Sequence, residues 1–451
     1  MSTNTTKLSF KEKIGYSLGD TASHFVWDMV GFWILIFYTD TFGISAAAAG
    51  TIMLIARAWD MVSDPLMGII ADRTNTRWGK FRPYILWMAL PYSVLAVLTF
   101  TTPNFGPTGK VLYAGITYLS LMTVFTAINL PYSSLGAVMT SDSYERAGLN
   151  SYRFIFAFVG QFIVSGTALY LANFFGKGDN AKGYQYTLIL FSIISFILFM
   201  ITFRTTRERV APPKAQKENI KEDVKNLFKN RPWMILFFVG IISFVMFAMQ
   251  NLSVAYYFKY YIGNAEGVQL FNVIGTVALI ATIPFSKPLA KRFGKRKVFL
   301  ASSLISGAFF ILLFIPGKDN IGMIYTFNIL AKMAYAPAVP LLWTMLGDTA
   351  DYSEWKSGRR STGLVFSAAT FAQKAGWGIG GALAGWMLAL FHFEANMIQT
   401  ETAITGIKLM ISVIPGILYM SCAILLYFYN IDQKTCLVMQ KDLEARRAAE
   451  K

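Results

Sequence analysis

Two cysteines, two histidines and a charged fraction of only 15% are what this 451-residue chain has little of, and each shortage closes off a class of protein. Cys422 and Cys436 cannot build a disulfide framework. His24 and His392 lie far apart, no cluster of metal-ligating residues accompanies either, and no nucleophile motif appears, so neither a metal centre nor a cofactor is expected. The polar segments are too short for a catalytic domain, which argues against a membrane enzyme. The first apolar run is full length and carries Asp20, His24 and Asp28, unlike the short core of a signal peptide, and no processing is expected.

Hydrophobic residues make up 55% of the chain and aromatics 16%, the composition of an all-α polytopic membrane protein. Runs of about 20 apolar residues, each long enough to cross a bilayer, fall at 13–38, 44–71, 82–102, 111–139, 150–175, 185–203, 233–258, 267–286, 298–316, 321–346, 362–391 and 405–430. Twelve transmembrane helices are expected. With both termini cytoplasmic, the outer loops hold six of the 41 Lys and Arg (Lys110, Lys177, Lys182, Lys259, Lys318, Lys408) and the spans hold Arg57, Lys332 and Lys374. The rest face the cytoplasm, so the net charge of +16 reports orientation in a cell inner membrane rather than nucleic-acid binding.

The chain also repeats itself. Asp72-Arg73 and Arg77-Trp78-Gly79-Lys80-Phe81-Arg82 follow span 2, and Lys291-Arg292-Phe293-Gly294-Lys295-Arg296 follows span 8; Asp142 to Glu145 follows span 4, and Asp351 to Glu354 follows span 10. Matching loops half a chain apart imply two six-helix bundles, 1–203 and 233–430, an arrangement that resembles the major facilitator fold. A cytoplasmic linker at 204–232 joins them and a cytoplasmic tail covers 431–451. Ile220, Val224, Leu227 and Phe228 place an amphipathic helix in the linker, whose plain role is to tie the halves together and whose alternative role is docking of a cytoplasmic regulatory protein. The mixed charges Asp72, Arg77, Asp142, Glu145, Arg146, Asp351, Glu354, Arg359 and Arg360 read as a cytoplasmic gate of ion pairs.

The decisive stretch is Arg57 to Pro65. Asp60 and Asp64 stand one helical turn apart on one face, at a depth where each acid costs about 2.5 to 3.5 kcal/mol. A bound cation, a proton or Arg57 has to offset them, and one arginine cannot neutralise two acids. Asp20, His24 and Asp28 form a second polar stripe, Thr126 and Asn129 precede Pro131, Arg153 opens span 5, and Lys374 sits among Thr370, Gln373 and Trp377 in span 11. Lys374 has no acid on its own span, so its partner is expected among the acids of spans 1 and 2 across a shared cavity. Carboxylates, amides, basic groups and indoles around a wet cavity suit sugar hydroxyls and ring faces, and suit peptide or drug carriers as well.

Gly19-Asp20, Ala56-Arg57-Ala58-Trp59-Asp60 with Asp64-Pro65, Arg77 to Pro83, Asn129-Leu130-Pro131-Tyr132 and Asp348 to Glu354 resemble the glycoside/pentoside/hexuronide:cation symporters, over nearly the whole chain. That resemblance implies a cation-coupled sugar importer working by alternating access. By its motifs, as in melibiose permease, Asp60, Asp64, Thr126 and the position of Ser63 bind the cation, H+ or Na+. Asp20 and Arg153 match sugar-site residues and Lys374 matches the lysine set between the two sites, while the polar positions His24, Asp28, Asn129, Thr370 and Trp377 are expected to bind substrate beside them. Ser63 stands where that permease has an Asn, a departure that counts against sodium coupling; Asn129 and Ser133 stand where it has an Asp and a Trp, which points away from a melibiose-like galactoside, and the pattern with His24 and Asn129 resembles the xyloside and glucuronide branches. A neutral pentosyl or glucosyl glycoside is the leading substrate, a glucuronide or hexuronide the alternative, and a transport-like sensor the remote one.

Overall fold

A computed structural model of the chain describes residues 8–140, 143–209, 227–357, 362–436, 438–439 and 442–443. Its named elements are helices: α1 (Phe10–Ile36), α2 (Ala46–Arg73), α3 (Arg82–Thr99), α4 (Pro107–Met139), α5 (Ser143–Gly176), α6 (Asn180–Thr205), α7 (Arg231–Tyr256), α8 (Gly267–Thr282), α9 (Ser286–Phe293), α10 (Lys295–Leu312), α11 (Ile321–Tyr335), α12 (Ala338–Ser357), α13 (Thr362–Leu390), α14 (Glu401–Ile411) and α15 (Val413–Tyr427). Taken with α8–α9, α11–α12 and α14–α15 as interrupted pairs, they give twelve helical columns.

Side chains start several of them. Ser9 and Glu12 form a reciprocal capping box on α1, and Ser45, Asp179, Asn230 and Thr400 each accept a first-turn amide of α2, α6, α7 and α14. Three expected spans are not single helices: the run 267–286 leaves the α conformation at Ile283–Phe285, and two others break outright. The run 321–346 breaks between Tyr335 and Ala338, where Pro337 cannot supply an amide to the ladder, and the run 405–430 breaks at Ser412, whose φ of −122° and ψ of −84° leave the helical region. Pro65 and Pro131, by contrast, lie inside continuous α2 and α4.

The residues segregate into two compact units, 1–214 with 388–398, and 215–387 with 399–451. In the first, α1 packs on α5 and α6, α3 on α4 and α6, and α2 on α4. In the second, α10 packs on α15 and α11, α7 on α15, and α11 on α8, around a core that includes Trp233, Phe299, Met345 and Leu426.

Each unit repeats the other's devices. α1 and α7 both run on into a six-residue π-helical turn, Phe37–Phe42 and Tyr257–Ile262, each stopped by a glycine with positive φ, Gly43 at 80° and Gly263 at 78°. A side chain at either position would strain the left-handed backbone. α3 and α10 are both 18 residues long.

Among the described residues, eight of the helices or helix pairs are long and apolar enough to cross a membrane on composition alone. α2 is not one of them, because it carries Arg57, Asp60 and Asp64 through its middle.

Candidate functional site

Two polar clusters occupy the first unit, and α4 contributes to both. The first begins with a close approach of α1 to α4. Tyr16 and Tyr132 stack with ring centroids 4.7 Å apart, and each hydroxyl donates to the other's backbone carbonyl, at 3.2 and 2.7 Å. Gly19 makes room for this, since a Cβ there would lie 2.4 Å from the Tyr132 ring. The next residue, Asp20, is buried and is gripped through both its oxygens by Arg153 of α5, whose Nε donates to Oδ2 and whose Nη2 donates to Oδ1 at 3.2 Å. Arg153 also donates to the Ser133 hydroxyl at 3.3 Å and lies over the Tyr132 face at 5.2 Å.

One turn along α1, the His24 ring shares a hydrogen bond of 2.9 Å with Asp28. Asn129 donates to the Ser23 hydroxyl at 3.2 Å, and Ser23 donates to the Gly19 carbonyl at 3.1 Å. Five of the expected substrate residues, Asp20, His24, Asp28, Asn129 and Arg153, therefore engage along α1 in three separate contacts: Asp20 with Arg153, Asn129 with Ser23, and His24 with Asp28. The stripe read along α1 is divided in the structure: Asp20 answers α5, while His24 and Asp28 answer each other.

The second cluster lies between α2 and α4. Arg57 donates to Asp60 Oδ2 at 2.9 Å, with side chains only 5% and 2% exposed. The guanidinium is also 4.6 Å above the Trp27 ring, which itself stacks on Phe125 of α4 at 4.4 Å. Asp64 accepts from the Thr126 hydroxyl at 2.9 Å, and Ser63, also buried, donates to the Asp60 carbonyl at 3.5 Å. Trp59 donates to Thr123 at 2.8 Å, one turn before the position of Thr126 on α4. Two carboxylates and one guanidinium leave one net negative charge here when both acids are ionised.

Thr370, Lys374 and Trp377 are on α13 in the second unit. Thr370 donates to the Phe366 carbonyl at 3.1 Å, and Trp377 meets Phe247 edge to face at 5.5 Å. Of the expected gate, Asp142, Arg359 and Arg360 lie outside the described residues, as do the side chains of Asp72, Glu145 and Arg146. Arg77 lies over Trp78 at 4.4 Å, and Asp351 and Glu354 are half-buried on α12. Most of the expected linker helix is outside the described residues; Leu227 is buried in the core of the second unit.

One participant was missed in the sequence. Glu208, three residues past α6, accepts the backbone amides of Lys80, Phe81 and Arg82 at 2.9, 2.8 and 3.0 Å. Gly79, with φ of 110°, brings that loop so close that a Cβ would lie 2.4 Å from the carboxyl carbon. The only signal is a lone acid between two arginines.

Residues 15–433 match the family model described as MFS/sugar transport protein. The chain is 36% identical over 421 residues to "Inner membrane symporter YicJ" of Escherichia coli (strain K12), covering 93% of this chain and 91% of the relative. It is 35% identical over 445 residues to "Isoprimeverose transporter" of Lactiplantibacillus pentosus, covering 98% and 92%. Among solved structures, that of a D-xylose-proton symporter superposes with a TM-score of 0.66 at 15% identity, covering 93% of this chain and 97% of that one. At that identity the likeness is one of fold.

Proposed function

Because this chain belongs to the MFS/sugar transport protein family and is a polytopic membrane carrier of sugars rather than an enzyme, we propose that it imports a neutral pentosyl or glucosyl glycoside. Import is in symport with one monovalent cation, H+ or Na+, by alternating access across the cell inner membrane, with both termini cytoplasmic. The observation that supports a neutral substrate is the engagement of the first unit's deep cations. Arg153 already holds both oxygens of Asp20, and Arg57 holds Asp60. A uronide carboxylate would have to displace a carboxylate from one of them, and it would approach Asp20 and Asp28, which repel it.

Hydroxyls of a neutral sugar meet the opposite situation. Asp28, Asn129, Ser133 and the His24 ring each keep acceptor or donor capacity beyond the bonds described, and an aspartate can take a pair of hydroxyls. Lys374 stays in the proposed substrate set on the resemblance, and Thr370 and Trp377 stay in it as its neighbours on the same span.

For the cation, Asp64 is the primary ligand, helped by the hydroxyls of Thr126 and Ser63. One net negative charge in the cluster suits one monovalent cation, and a shared proton satisfies the same count. A relative named "Isoprimeverose transporter" supports a glycoside as the substrate class for this chain. The test is uptake of a radiolabelled alkyl xyloside into vesicles under an imposed Na+ or pH gradient, with an alkyl glucoside and a glucuronide as competitors. Xyloside or glucoside competition is expected. Competition by the glucuronide alone would overturn the neutral-glycoside reading, and uptake indifferent to both gradients would overturn symport.

A further inference from the structure

In the first unit a carboxylate closes the loop that leads into α3. Glu208 fills it, and the Arg82 guanidinium beside it donates to the Phe203 carbonyl in the last turn of α6 at 2.6 Å. The second unit repeats this frame. α10 opens on Gly294, Lys295 and Arg296 as α3 opens beyond Gly79, and the Arg296 guanidinium donates to the last-turn carbonyls of α15, Leu426 at 3.1 Å and Tyr427.

Among the described residues, the second unit places no carboxylate on the amides that open α10. The N-cap of α10 is Gly294, which has no side chain to offer its first amides. Asp432, the acid in the segment after α15, is turned onto Thr435, accepting its amide and its hydroxyl at 2.8 Å each. A cavity of about 410 Å³ lies there, lined by Lys287, Lys291, Lys295, Gln433 and Cys436 and also by Asp432, whose Oδ1 is taken by Thr435. Lys295 is paired with Asp348 at 2.6 Å, while Lys287 and Lys291 stand one turn apart on α9 with exposed side chains. Ala290, Pro340, Leu341 and Ile431 give the cavity an apolar wall. Orientation by basic loops explains why lysines are here; it does not explain a cavity of small-ligand size where the duplicated unit is filled by an anion.

We propose that this cavity binds a phosphate-bearing ligand, its phosphate held between the ammonium groups of Lys287 and Lys291 near the opening amides of α10 and its organic part against the apolar wall. Two ammonium groups suit a phosphate better than a single carboxylate. The phosphate can belong to a soluble monoester or to an anionic lipid headgroup, both of which basic pockets at a membrane face accept.

Cys436 is a built-in reporter, because it lines the cavity while Cys422 is buried in the core. Burial, with Asp348 beside it, pushes the Cys436 thiol up to about 11, so maleimide labelling is run at one fixed alkaline pH. In the full-length protein in neutral detergent, labelling of Cys436 is followed by mass spectrometry with inorganic phosphate or glucose 6-phosphate. In a second arm, phosphatidylglycerol nanodiscs are compared with phosphatidylcholine nanodiscs. Labelling slowed roughly tenfold at ten times Kd by a soluble phosphate, abolished in Lys287→Gln/Lys291→Gln and kept in Lys287→Arg/Lys291→Arg, identifies a monoester. The same pattern in phosphatidylglycerol alone identifies a headgroup. Labelling unchanged in every arm, or protection that survives Lys287→Gln/Lys291→Gln, overturns the proposal. Both lysines are exposed, so the variants are expected to fold.

Discussion

Asp60→Asn and Asp64→Asn remove the same charge from the same cluster, yet the structure assigns them different fates. In Asp60→Asn, Arg57 keeps its charge and loses the carboxylate 2.9 Å away, in a place where the two side chains are 5% and 2% exposed. Removing one partner of a buried pair costs about 3 to 5 kcal/mol. The Trp27 face 4.6 Å from the guanidinium remains and offsets about 0.5 to 2 kcal/mol. The net is about 3 kcal/mol, roughly a 100-fold shift in the folded-to-unfolded ratio. In Asp64→Asn the new amide oxygen still accepts from Thr126, which limits the loss to about 1 kcal/mol. Both changes bring the cluster to neutrality, so both are expected to abolish gradient-driven accumulation; only Asp60→Asn is expected to lose folded yield. Adding Arg57→Gln to Asp60→Asn removes the stranded charge and restores one net negative charge on Asp64. The double variant should therefore recover folded yield and part of its cation-stimulated uptake. The assays are monodisperse yield in detergent and uptake in energised vesicles. A double variant no better folded than Asp60→Asn, or full accumulation by Asp64→Asn, refutes the reasoning.

Thr126→Val removes the hydroxyl 2.9 Å from Asp64 at constant shape and is expected to raise the half-saturating cation concentration about tenfold, a hydrogen bond to a charged group being worth about 1.5 kcal/mol or more; Thr126→Ser should leave it near wild type. Gly19→Ala places a Cβ 2.4 Å from the Tyr132 ring, and overpacking of about 1 to 3 kcal/mol is expected to lower the thermal midpoint in detergent, so an unchanged midpoint contradicts the packing described. Glu208→Gln weakens three charge-assisted bonds to the amides of Lys80, Phe81 and Arg82, and hydrogen exchange at those three amides should accelerate about tenfold with little change elsewhere.

The acids of α2 were legible because they contradict their surroundings: nothing in a lipid-crossing run calls for Asp60 and Asp64, and helical spacing alone puts them on one face. Which acid Arg57 would choose was not legible. Spacing allows Asp60, three residues on, but the choice is also shaped by Trp27 on α1 and by Thr126 on α4, which engages Asp64 from 62 residues away. The same limit applies to Asp20. Its presence in span 1 marked it as a site residue, while its partner Arg153 is 133 residues distant and is delivered by the packing of α5 on α1. Local breaks were underread for a different reason. Apolar content runs unbroken through Pro337 and Ser412, so a hydropathy reading sees one span where the backbone makes two helices.

The duplication shows where function separates from scaffold within one chain. Both units keep the π turn stopped by glycine, the 18-residue third helix and the arginine that ties it to the last helix of its bundle. These are packing requirements, and each unit has to meet them. The carboxylates at membrane depth are not duplicated. Asp20, Asp28, Asp60 and Asp64 all belong to the first unit, and the matching spans 7 and 8 carry no acid inside α7 or α8. A scaffold demand would have been met twice, whereas acids retained in one copy at a cost of about 2.5 to 3.5 kcal/mol each answer a demand that only one copy serves. The asymmetry therefore argues, from the chain alone, that cation binding is work of the first unit. The directional test is to move the acids: Asp60→Asn/Asp64→Asn with a carboxylate introduced by Asn251→Asp on α7 should not restore coupled uptake, and restored coupling would show that the second unit's frame is equally fit for the cation.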